Sequence, residues 1–114
     1  VKIVVEQMEG GITRVDLEGR MDIEGVAGIE DKFTFATASG QGLVVVNVAD
    51  VPFMSSIGIR TVIVAGRAQK QRGGKFVLAA PQPMVRKVLV TAGIDQLVPL
   101  YDTVDAACEA LRKD

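Results

Sequence analysis

The stretch LVVVNVADVPFMSSIGI, running from Leu43 to Ile59, changes character twice. Its opening run, Leu43–Val48, is apolar on both faces, with Asn47 its only polar member. A parallel strand covered on both sides reads this way, whereas a strand with one wet face alternates. Beyond the turn at Pro52, Ile59, Val62, Ile63 and Gly66 recur at helical spacing. Arg60, Arg67, Gln69, Lys70 and Gln71 supply the polar positions, and Gly73-Gly74 stand where such a helix ends. A buried strand leading straight into an amphipathic helix is the building unit of an α/β sheet. Ser55 and Ser56 occupy the junction.

Upstream, VKIVVEQMEGGITRVDLEG sets two β-rich runs around Gly10-Gly11, a pair able to take the positive φ of a tight hairpin. The expected strands are Lys2–Gln7 and Ile12–Leu17. Ile23, Val26, Ile29 and Phe33 then mark a helix, with Asp22 as its cap and the Ser39–Gly42 cluster as its end. Downstream, KFVLAA (Lys75–Ala80) is another short buried strand, and Met84, Val85, Val88 and Leu89 mark a helix closed by Gly93. LVPLY (Leu97–Tyr101) reads as a short edge strand because of Pro99. Thr103–Arg112 completes the chain as a helix capped by Thr103 or Asp102.

The order β-β-α-β-α-β-α-β-α predicts an α/β fold: a mixed, mostly parallel sheet of about five strands with four helices and an N-terminal β-hairpin. Residues 1–114 are expected to form one domain. In sheets of this kind the useful surface lies beyond the carboxyl ends of the central strands. The two serines lie there. The GRMD loop, Gly19–Asp22, joins them if the second strand ends at the same edge.

Composition narrows the function. Hydrophobic residues make up 48% of the chain and charged residues 24%, as in an ordinary folded domain. A formal net charge of −1 offers no basic stripe, so no nucleic-acid partner is expected. No apolar run reaches the ~20 residues of a membrane span, and the opening residues are not laid out as a signal peptide. No direct membrane insertion and a cytoplasmic location are the expectation. The single Cys108 has no partner for an internal disulfide and falls within TVDAACEAL as a small buried hydrophobe. The chain has no histidine, which excludes a Ser-His or Cys-His pair and any His-containing metal site. No acidic cluster has metal-ligand spacing. The expectation is therefore a non-enzyme with no catalytic residue, no cofactor and no metal.

Four readings of Ser55-Ser56 compete. One hydroxyl can cap the helix, accepting from a first-turn amide, but capping needs only one serine. A nucleophilic serine needs a base, and only Lys70, Lys75 and Lys87 offer a Ser-Lys pair; the Gly-x-Ser-x-Gly elbow is absent. A nucleotide cradle lacks its Gly-x-x-x-x-Gly-Lys loop. The fourth reading is regulatory. A phosphate in the first helical turn adds about −1.5 to −2 charges that the helix end tolerates. A partner docked on Met54, Ile57 and Ile59 would have to desolvate that dianion.

These pieces, in this order, resemble a STAS domain, specifically a stand-alone anti-sigma-factor antagonist. The resemblance runs over essentially the whole chain. It takes in the hairpin, LEGRMD (Leu17–Asp22), LVVVNVADVPFMSSIGI (Leu43–Ile59) and the segment from Gly73 to Leu111. In the last of these, PQP (Pro81–Pro83) and VLVTAGI (Val88–Ile94) fill the places of a family turn and a family glycine motif. The resemblance implies that Ser56 is the serine phosphorylated in the family, with Ser55 the alternative acceptor. Asp22, Met54, Ser55, Ser56, Ile57, Gly58 and Ile59 are the implied partner-binding residues. The implied partners are an anti-sigma factor that is itself a serine kinase of the histidine-kinase-like ATPase fold, and a metal-dependent serine phosphatase.

Three positions depart from the family pattern. Ser55 stands where the family keeps an aspartate, Ile57 where a small or polar residue is common, and Arg60 where glycine is common. STAS domains also accompany anion and lipid transporters, so a subunit docked on a membrane transport assembly is one alternative. A constitutive adaptor that is never phosphorylated is another. The apolar residues around the junction also permit a weak homodimer.

Overall fold

The computed structural model describes residues 1–38 and 42–113. The strands are β1 (Lys2–Met8), β2 (Ile12–Glu18), β3 (Leu43–Asp50), β4 (Lys75–Ala79) and β5 (Leu100–Tyr101). The helices are α1 (Ile23–Ala38), α2 (Ser56–Gln71), α3 (Pro83–Thr91) and α4 (Val104–Arg112). The strands lie in the order β1-β2-β3-β4-β5, so each connection joins neighbours. The β1–β2 pair is antiparallel, a hairpin turning on Gly10 and Gly11 at φ 83° and 77°, and every later pair is parallel.

The central strand shows why its sequence lacks alternation. Val44, Val46 and Val48 enter a large core with Val26, Ile29 and Phe33 of α1, Val62 of α2 and Val85 and Leu89 of α3. Val45 turns to the opposite face, where Ala107, Cys108 and Leu111 of α4 cover it. Both faces are dry, which stabilises the strand by about 1.5–3 kcal/mol per buried valine-sized side chain. Cys108 is buried as expected, and burial pushes its thiol pKa up.

Several expectations are corrected. Ile23 opens α1 past the end of β2 and is 75% exposed, so the buried stripe begins at Val26. In α3 the buried pair is Val85 and Leu89; Met84 is 69% exposed, because one residue along a helix turns the side chain by about 100°. Val88 shares that wet flank. Gln69 is buried, since it continues the stripe of Val62, Ala65 and Gly66 at helical spacing. Its Oε1 accepts from Arg72, while Nε2 has no partner among the described residues. The edge strand reduces to Leu100–Tyr101. The expected end of α1 falls on Ser39, Gly40 and Gln41, which lie outside the described residues, and on Gly42 at φ 86°.

Candidate partner-binding site

Parallel pairing brings the carboxyl ends of β2 and β3 to one edge, with Glu18 opposite Asp50. The loops that leave these strands remain joined. Gly19 N–H donates to Asp50 O (2.9 Å), Met21 N–H to Phe53 O (2.9 Å) and Ser55 N–H to Met21 O (3.0 Å). Met21 and Met54 form a parallel bridge beyond the strands. The GRMD loop and the serine junction are therefore one surface, as the condition on the second strand required.

On this surface Ser55 and Ser56 have different surroundings. Ser55 is half-buried at the N-cap position of α2, with φ −82° and ψ 176°, but its side chain makes no capping bond. Its Oγ donates instead to the Met21 carbonyl, 2.8 Å away. The expectation that a serine hydroxyl caps α2 is corrected by that nearer acceptor. Ser56, the first residue of α2, is exposed. The first turn of α2 holds no acidic residue, so its free amides meet no side-chain counter-charge there.

Asp22 caps α1 as expected, its Oδ1 accepting from Gly25 N–H at 2.8 Å. That bond, aided by Arg20, holds its carboxyl below the usual carboxylate range. Arg20 also lies 3.6 Å from Asp22 Oδ2 and places its guanidinium 4.4 Å from the centroid of the Phe53 ring. Arg20 and Phe53 thus clasp the two loops from outside, and such an exposed contact is worth ~0.5–1 kcal/mol. Sequence reasoning singled out the loop but neither of these residues, because a contact between Arg20 and Phe53 has no local pattern.

The expected contact residues divide into two layers. Met54 and Gly58 are buried and carry the surface from beneath. A Cβ on Gly58 would lie 2.8 Å from Met21 O and 2.9 Å from Met54 Cγ, which is why only glycine fits that turn of α2. Ile57 and Ile59 are half-buried and lean on the core. Ile57 and Arg60 also line a groove of about 330 Å³ between α1 and α2, floored by Ala65 and Ala68 and walled by the exposed Val64.

The described residues contain no cluster of His, Cys, Asp and Glu arranged to hold a metal ion. None of their helices is long and apolar enough to cross a membrane. The STAS domain family model matches residues 3–107. The chain belongs to the STAS domain family. BtrV of Bordetella bronchiseptica, assigned by name to the anti-sigma factor antagonists, is 23% identical over 112 residues, covering 98% of this chain and 96% of that relative. The structure of an anti-sigma factor antagonist from Mycobacterium paratuberculosis is 25% identical with a TM-score of 0.89, over 98% of this STAS chain and 94% of its own. The antagonist SpoIIAA in its unphosphorylated form is 25% identical with a TM-score of 0.79, over 97% and 96%. The α/β fold expected of the sequence is the fold of these STAS proteins.

Proposed function

We propose that this STAS protein is an anti-sigma-factor antagonist: it binds and sequesters an anti-sigma factor, and a phosphate on Ser56 releases it. The observation that carries this reading is the exposed Ser56 at the start of α2, on a surface that the β2–α1 and β3–α2 loops build together. Its relative SpoIIAA has been solved both with and without phosphate.

The physics of release is local. Ile57, Ile59 and the groove beside Arg60 offer the apolar part of a contact. A phosphate there adds about −1.5 to −2 charges, and a docked partner would have to strip its water at a cost of several kcal/mol. The free amides of α2 accept the same charge without refolding. Ser56 is favoured over Ser55 as the acceptor because the Ser55 hydroxyl is engaged with Met21. The partner is an anti-sigma factor that is itself a serine kinase of the histidine-kinase-like ATPase fold, and a serine phosphatase restores binding.

The test is incubation with that kinase and ATP, read by intact mass and by co-elution. Wild type gains about 80 Da, one phosphate, and leaves the complex; Ser56→Ala gains nothing and stays bound. Binding with no mass gain would favour the constitutive adaptor. Failure to bind any such kinase, with capture of a transporter from solubilised membranes, would favour the transport assembly.

A further inference from the structure

The outer edge of β1 has no strand partner among the described residues. Exposed edges invite pairing with another chain, and proteins usually blunt them with proline, bulges, short length or charged side chains. The other edge is blunted by length and proline: β5 has two residues and follows Pro99. β1 carries Lys2 and Glu6 but has none of the other devices. It spans seven residues, contains no proline and pairs with β2 residue for residue without a bulge. Val4 and Val5 on it are 58% and 42% exposed.

The pattern of side chains along this edge is self-complementary. Lys2, Val4 and Glu6 share one face, standing opposite Glu18, Asp16 and Arg14 of β2, and Ile3 and Val5 share the other. We propose that β1 is a homodimer interface, in which two copies pair antiparallel about a two-fold axis at Val4 and continue one sheet across both. That register sets each Lys2 against the partner's Glu6, each Ile3 against the partner's Val5, and Val4 against its own copy. Moving the axis to Val5 sets Val4 against Glu6 and Ile3 against Gln7. Moving it to Ile3 sets Lys2 against Val4. Of the three, only the Val4 register sets Lys2 against Glu6 and Ile3 against Val5, with Val1 falling opposite Gln7, and opposite charges directly across a strand pair are favourable where like charges are not. One edge strand makes a contact smaller than a standard interface, so the dimer is reversible. The two-fold axis points the two serine junctions to opposite ends of the joined sheet and leaves both free. The contact is distinct from the apolar junction around Met54–Ile59.

Sedimentation equilibrium over a dilution series tests this on the intact chain. Wild type shows a reversible monomer–dimer equilibrium. Val4→Lys sets two ammonium groups together at the axis and raises the dissociation constant at least about tenfold. The melting temperature is kept, since the new cation faces Asp16 within its own hairpin. Lys2→Glu and Glu6→Lys each weaken the dimer by about tenfold. The double variant restores it, even though each monomer is less stable with like charges facing Glu18 and Arg14. A wild type that stays monomeric at every concentration overturns the proposal. So does a dimer indifferent to Val4→Lys, or a double variant no better than the singles.

Discussion

Both donors of Ser55 converge on a single acceptor: its amide reaches the Met21 carbonyl at 3.0 Å and its hydroxyl at 2.8 Å. This serine therefore joins the two loops of the site and leaves the first-turn amides of α2 uncapped by its side chain. Ser55 thus performs a structural task that a carboxylate could not, because a carboxylate has no proton to donate.

Ser55→Ala removes the hydroxyl bond and lowers stability by about 1 kcal/mol. Ser55→Asp loses the same bond but recovers about as much by capping the free amides of α2. Urea unfolding should place the aspartate variant near wild type and the alanine variant below both, with unchanged m-values.

Ser56→Asp separates the fold from its function. A negative charge in a first turn that holds no acid stabilises α2 by roughly 0.3–1 kcal/mol. The same charge weakens binding of the anti-sigma factor at least about tenfold, because the partner must desolvate it. Thermal melts and titration calorimetry on one sample would show stability and affinity moving in opposite directions.

Two glycines of α2 differ in what surrounds them. At Gly58 a Cβ meets the Met21 backbone carbonyl at 2.8 Å, which cannot rotate away. At Gly66 it meets Val98 Cγ2 at 2.9 Å and Phe76 Cδ1 at 3.3 Å, side-chain atoms that can shift. Gly58→Ala should cost about 1–3 kcal/mol. Gly66→Ala should cost less, since the gain of ~1 kcal/mol in helix propensity offsets part of the crowding. Chemical denaturation of the pair gives the order.

Asp22 sets an acid limb in the stability profile. Its carboxyl is held low by the Gly25 amide first and by Arg20 after it. A folded-state pKa below the unfolded one gives stability that is present above the usual carboxylate range and lost as pH falls through the folded value. Asp22→Asn keeps a capping oxygen but cannot titrate. The gap between wild type and Asp22→Asn, followed by urea midpoint from neutral pH downward, should close below roughly pH 4.

Gln69→Met tests the buried amide. The substitution removes an Nε2 that has no partner among the described residues and keeps the volume that fills the space against Gly74. Removing an unsatisfied buried donor is worth ~1–3 kcal/mol, less the bond that Arg72 gives up. Equal or higher stability than wild type is the expected result.

Much of this architecture could be read from periodicity alone. Val44–Val48 is apolar on both faces because helices cover both, and Gly10-Gly11 turns the hairpin that the flanking strands suggest. The misread positions share a cause. Ile23, Met84 and Gln69 each required knowing where a helix meets the sheet, and one step along a helix swings a side chain by about 100°. At the site, Asp22 and Ser56 were legible as helix-start residues. The separate roles of Ser55 and Ser56 were not, since the acceptor that distinguishes them, Met21 O, is thirty-four residues away in sequence. Arg20 over Phe53 was hidden for the same reason.

The backbone bonds from Gly19, Met21 and Ser55 each cross from one loop to the other. Their amides can take up deuterium only when the two loops part, so they should be among the slowest to exchange outside the strands. A phosphate on the neighbouring serine would then slow exchange only in the first turn of α2 and leave these three cross-loop amides unchanged. The surface would announce its state by charge at constant shape, and a partner would need no moving part of this domain in order to read it.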